Sequence, residues 1–141
     1  MKKIYSTNYN LASIDLALLV LRVGISLLML THGIPKLFTL FGGGDIQFFD
    51  PYGLGGEASL TLAVIAEFLC SVLLILGLGT RLAVIPLMLT MLTATFVIHI
   101  DDNFARQELP LLYLLVYTVL LITGAGKYAL DFYWIKRKDR A

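Results

Sequence analysis

Five side chains in a largely apolar sequence have the types and positions to do chemistry: Arg22, His32, Lys36, Glu67 and His99. A charged group at the centre of a bilayer costs about 2.5–3.5 kcal/mol on insertion scales, so each one asks for a partner or a task. Arg22 lies a little below the middle of the first apolar stretch. Glu67 lies near the middle of the second, counted from the other side. Two antiparallel helices would bring them to similar depth, which predicts a buried Arg22–Glu67 ion pair. Such a pair keeps the carboxylate ionised and occupies the guanidinium fork. It serves either helix register alone or a functional polar core.

His32 and Lys36 are one helical turn apart, and His99 closes the third apolar stretch just before Asp101 and Asp102. These are the only histidines in the chain, and the same topology sets both near the outer surface. Three readings compete. The residues could anchor the membrane interface. They could line a pocket for a quinone or a similar lipid-soluble head group, since imidazole and ammonium donate hydrogen bonds to carbonyl oxygens. Or both histidines could hold a metal or haem, for which two ligands without a Glu-x-x-His or Cys–His spacing are a thin set. No metal, haem, flavin or nucleotide motif is present; Gly42-Gly43-Gly44 lacks the Gly-Lys-Ser/Thr of a phosphate loop. Cys70 is the only cysteine, so a Cys-x-x-Cys exchange within one chain is excluded.

The elements that must position these groups follow from composition. Of 141 residues, 58% are hydrophobic and 15% charged, with mean hydropathy +0.83. Soluble domains carry about 25% charged residues, so this chain is short of charge for a water-facing surface. Apolar stretches at about 14–36, 58–79, 82–100 and 109–126 are each long enough to span as a helix. The fold class expected is all-α, a polytopic bundle of four transmembrane helices. Lys2-Lys3 before the first stretch resembles a signal peptide, but the apolar run is too long and contains Arg22, which predicts an uncleaved span. Pro110 is expected in the first turn of the last helix.

Lys2, Lys3, Arg81, Lys127 and the tail Lys136, Arg137, Lys138 and Arg140 fall on one side of these spans, with only Lys36 and Arg106 on the other. The positive-inside rule therefore predicts both termini in the cytoplasm. The tail after Trp134 reads as a topology signal that can also meet anionic headgroups. A formal net charge of +1 gives no sign of a nucleic-acid partner.

At 100° per residue, Asp15, Arg22, Ser26, Met29, Gly33 and Lys36 share one line on the first helix, with His32 on its flank. Ala63, Glu67 and Ser71 repeat on the second, and Tyr113, Tyr117 and Gly124 on the fourth. These stripes predict a polar bundle interior. The connection from about 37 to 57 is long, glycine-rich and aromatic (Phe38, Phe41, Phe48, Phe49, Tyr52), suited either to covering an outer pocket or to an interfacial belt.

The runs Leu19-Val20-Leu21-Arg22-Val23-Gly24, His32-Gly33-Ile34-Pro35-Lys36 and Leu76-Gly77-Leu78-Gly79-Thr80-Arg81-Leu82-Ala83, with Glu67 between them, resemble the DoxX family of small four-helix membrane proteins. The resemblance covers about residues 14–127 and makes residues 1–141 a single DoxX-like (DoxX/DoxD-like) four-helix domain. Relatives in that family include a membrane subunit of an archaeal thiosulfate:quinone oxidoreductase, which implies quinone-linked redox work. The function expected is thus a subunit of an inner-membrane oxidoreductase system. It would have an outward-facing polar pocket from His32, Lys36 and His99, a quinone as its cofactor and a redox partner protein, because the chain has no evident electron carrier of its own. The alternative is a non-enzymatic scaffold or assembly factor whose buried charges are structural. A small-solute transporter is disfavoured by the lack of repeats and broken helices. No catalytic residue is assigned, and no oligomeric state follows.

Overall fold

Asn10 starts the first helix by accepting the Ala12 amide on its side chain at 3.1 Å, which satisfies one of the donors a helix N-terminus leaves free. The computed structural model describes residues 10–138. Helix α1 runs Leu11–Phe41, α2 Gly56–Leu76, α3 Thr80–Ile98, α4 Phe104–Thr123 and α5 Leu130–Lys138. The first four are long and apolar enough to cross a membrane, and no strand occurs among the described residues. This is a four-helix membrane bundle, and its even number of spans leaves Asn10 and Lys138 at the same end. The calls resting on Lys2, Lys3 and Arg140 lie outside the described residues.

The α2–α3 turn is tight because Gly77 adopts φ 68° and Gly79 φ 59°. The Leu78 amide then reaches back to Leu73 O at 3.0 Å, closing the helix end. Gly77 is needed for space as well: a Cβ there would collide with the Arg22 guanidinium. Gly33 does the same job higher up, where a Cβ would sit 2.8 Å from the Glu67 backbone, so α1 and α2 touch main chain to main chain. The buried residues of α1 are Arg22, Ser26, Met29 and Gly33, the central part of the stripe read from the 100° period.

Two expectations need correction. Pro110 lies inside α4 and not in its first turn, because Phe104, Ala105 and Arg106 already form helix ahead of it. The segment after Gly124 was also expected to hold no further helix, but it forms α5. Helix α5 turns back beneath the bundle, where the Asp131 carboxylate accepts the amides of Gly79 (2.8 Å) and Thr80 (3.0 Å) and caps the start of α3. Both α2 and α3 contain a wide π turn, at Ile65–Leu69 and Ala94–Ile98. Such insertions rotate the face of a helix part-way along its length.

Candidate functional site

Packing is uneven along the bundle axis. Near the end that holds Asn10 and Lys138, Leu74, Val84, Leu87, Tyr117 and Leu120 are fully buried and pack with Met29 and Cys70. Toward the other end the helices part into two pairs. The first turns of α2 pack on α1, while the last turn of α3 packs on α4. A cavity of about 680 Å³ lies between the pairs.

Its floor is charged. Lys36 Nζ donates to Glu67 Oε1 at 2.5 Å, with the glutamate side chain only 6% exposed and the lysine 29%. Glu67 Oε2, Ser71 Oγ and Tyr117 OH are buried without a hydrogen-bond partner in the structure. Lys36 also stands 5.7 Å over the Phe48 ring. His32 meets the edge of Tyr113 at 6.4 Å, and Tyr113 leans on Tyr117 at 6.0 Å. His99 is held at the rim. Its Nδ1 lies 2.7 Å from Asp102, Arg106 donates to the same carboxyl at 3.1 Å, and the His99 carbonyl accepts from Gln107. The His99 contact, reinforced by Arg106, holds the Asp102 carboxyl below its usual range.

The α1–α2 connection covers part of this cavity with Phe48, Phe49 and Tyr52. Asp50 shapes it. The carboxylate accepts the amides of Gly55 (2.7 Å) and Leu54 (3.0 Å) and the Ser59 hydroxyl (2.8 Å). The Gly55 amide first, then Ser59, pull the Asp50 carboxyl below the usual range. A lowered folded pKa means that the stabilisation is present above the unfolded value of about 3.9 and is lost as pH falls through the folded one. Asp50→Asn should therefore loosen the connection at neutral pH as acid does in the parent protein. Hydrogen exchange at Tyr52–Gly55 measures it; equal protection in both proteins at pH 7 would remove Asp50 from this role.

The three pocket residues expected from sequence, His32, Lys36 and His99, do line this one cavity. The expected Arg22–Glu67 pair does not form. Glu67 pairs with Lys36, while Arg22 donates from Nη1 to Ala125 O at 3.1 Å and from Nη2 to Tyr128 O at 2.8 Å. The reason is register. Gly33 faces Glu67 and Gly77 faces Arg22, so the two charges are separated by the rise from position 22 to 33, about 16 Å. Arg22 thus sits level with the α2–α3 turn rather than mid-span. The pocket is also less polar than expected, with walls from Met29, Leu62, Ala63, Leu89 and Met91 and polar groups gathered at the floor and rim. Glu67 and Tyr113 are pocket residues that the sequence reading left out. The signal for Glu67 was Lys36, which shares the buried stripe of α1 with Gly33. Among the described residues no three His, Cys, Asp or Glu side chains converge as metal ligands would.

Comparison with known proteins agrees with this architecture. A family profile, DoxX, matches residues 17–100. A Bacillus subtilis (strain 168) protein named "Putative oxidoreductase CatD" is 33% identical over 129 residues, 89% of this chain and 92% of its own. An uncharacterised protein of Haemophilus influenzae is 32% identical over 124 residues, 83% of this chain and 90% of its own. No solved structure matches significantly. With a profile over more than half its length and relatives aligned nearly end to end, the chain belongs to the DoxX family.

Proposed function

We propose that this multi-pass membrane protein is the integral subunit of a quinone-linked oxidoreductase system of the cell inner membrane, with both termini in the cytoplasm and the cavity toward the outer face. The observation that carries the reading is the cavity itself, of about 680 Å³, apolar in its walls and charged at its floor. Ligand pockets of about 300–1,000 Å³ with a few placed polar groups are the usual form of a small-molecule site. The residues fit a quinone-like head group. Lys36 keeps N–H donors beyond the one given to Glu67, and the rings of His32 and His99 offer more, all suited to carbonyl oxygens. Glu67 Oε2, unpartnered, suits a hydroxyl of the reduced form. The name of the Bacillus relative points the same way.

When bound, a quinone supplies a carrier for two electrons and two protons. The protein's own part is to orient the head group between Lys36 and the histidines, to hold a proton at the Lys36–Glu67 pair and to cover part of the cavity with Phe48, Phe49 and Tyr52. Electrons are delivered by a partner protein, in keeping with the division of labour between protein and carrier. The scaffold reading draws on one observation: Arg22, the most deeply buried charge, bonds only to backbone carbonyls.

Quinone extracted from protein purified out of native membranes, counted per chain by mass spectrometry, separates the two. His32→Gln and His99→Gln should each lower occupancy about 2–10-fold, the worth of one hydrogen bond of about 0.5–1.5 kcal/mol. Thermal stability should hardly move. Absence of quinone from the parent protein, or unchanged occupancy in both variants, decides for the scaffold.

A further inference from the structure

The cavity has two edges, and they differ. On the α1–α4 side the exposed His32 ring meets Tyr113 edge to face across it. On the α2–α3 side the helices pack closely from the Gly77–Gly79 turn up to the π turn at Ile65–Leu69, and the packing fades beyond it. What bridges them above is one hydrogen bond from the covering connection, between Tyr52 OH and Thr93 Oγ1 at 2.5 Å. Beneath that bridge Leu62 and Ile65 on α2 and Leu89 on α3 line the cavity while being 53%, 43% and 59% exposed. Exposed apolar side chains on two adjacent helices, all at the cavity wall, mark an opening between those helices. This mouth lies part-way along two membrane-spanning helices, so it opens on lipid and not on water.

We infer that the cavity loads sideways from the bilayer through a portal between α2 and α3, and that its ligand carries a long apolar tail which stays in that portal. The ligand class rests on the proposed quinone reading; the portal does not. Its apolar rim lets an isoprenoid or alkyl chain remain in hydrocarbon while the head group reaches Lys36 and Glu67 at the floor. The π turns at Ile65–Leu69 and Ala94–Ile98 lie beside the gap on either helix. By rotating the helix faces there, they permit the separation that straight helices joined by a tight turn would resist. The other opening, at the rim of His99 and Arg106, is polar and suits entry from water.

The portal can be tested without any quinone. Ala63 is on the cavity wall, 9% exposed. In a Cys70→Ser background reconstituted in lipid vesicles, the thiol of Ala63→Cys is exposed to a long-chain N-alkylmaleimide or to a charged maleimide. Both rates are divided by those of Asn103→Cys in the α3–α4 connection. Sideways loading predicts a higher normalised rate for the alkyl reagent. Adding Ile65→Trp and Leu89→Trp should reduce it about tenfold, about 1.4 kcal/mol on the barrier. Tyr52→Phe, which unties the connection, should leave the alkyl rate unchanged and serves where the double tryptophan variant does not fold. A higher rate for the charged reagent, an alkyl rate that follows Tyr52→Phe, or no labelling by either overturns the portal. In a parallel measurement, a tailed quinone should displace alkyl labelling where the tailless head group does not. Labelling that behaves as predicted with no quinone effect retains the portal and rejects the quinone reading.

Discussion

Lys36→Ala should be among the most destabilising single changes in this protein, at about 3–5 kcal/mol, because it leaves the Glu67 carboxylate buried and uncompensated. Glu67→Ala should cost less. The Lys36 side chain is already 29% exposed and can swing its ammonium toward the membrane surface. Removing both with Lys36→Met and Glu67→Leu should recover most of the loss, since two well-packed apolar residues replace a buried pair without penalty in many proteins. The decisive comparison is a pair of double-mutant cycles read by denaturation in detergent. Lys36 and Glu67 should couple strongly, while Arg22→Ala and Glu67→Ala should add within about 0.5 kcal/mol. Coupling between Arg22 and Glu67 in place of Lys36 and Glu67 would mean that the register of α1 on α2 is wrong.

Arg22→Ala is the second large effect, and it acts at the opposite end. The guanidinium is 1% exposed and bridges Ala125 O and Tyr128 O, the carbonyls of the turn between α4 and α5. Each hydrogen bond to a charged donor contributes about 1.5–3 kcal/mol, so losing two should cost about 3 kcal/mol or more. Arg22→Lys should recover only part of this, because an ammonium lacks the planar fork that reaches two carbonyls at once. Limited proteolysis should show the 124–129 turn becoming labile, while cavity labelling at Ala63→Cys stays as before. Loss of cavity labelling with stability intact would make Arg22 part of the pocket.

The architecture was legible because a membrane simplifies the reading. Four long apolar stretches with glycine turns leave few alternatives, and at 100° per residue the polar stripe of α1 picks out the residues that are buried. The meeting of His32, Lys36 and His99 followed from counting which ends of the spans share a side. Partner choice was not legible at that level. It depends on relative depth to within a turn, and depth is set by where Gly33 and Gly77 let the backbones close, not by the midpoint of an apolar run. Gly33, well beyond the middle of α1, is the residue level with Glu67, so the two helices are staggered and their midpoints do not match. Helix α5 was missed for another reason. Leu130–Lys138 mixes aromatic, aliphatic and charged residues over a length too short to span, and its role rests on Asp131 reaching a turn distant in sequence.

The partners of Arg22 also impose an order on biosynthesis. Ala125 and Tyr128 follow it by 103 and 106 residues, and Asp131, which caps α3, comes later still. While the ribosome is adding the first three spans, the arginine has no carbonyls to hold and the start of α3 has no cap. The α1–α2 pair can already close at Gly33 and Lys36–Glu67, while Arg22 is left to reach toward the lipid headgroups. The end of the bundle at Arg22 and the start of α3 is fastened only when the last segment folds back beneath it. That end of the bundle is thus closed last, from the C-terminal side, and a chain halted before Tyr128 would leave Arg22 unfastened.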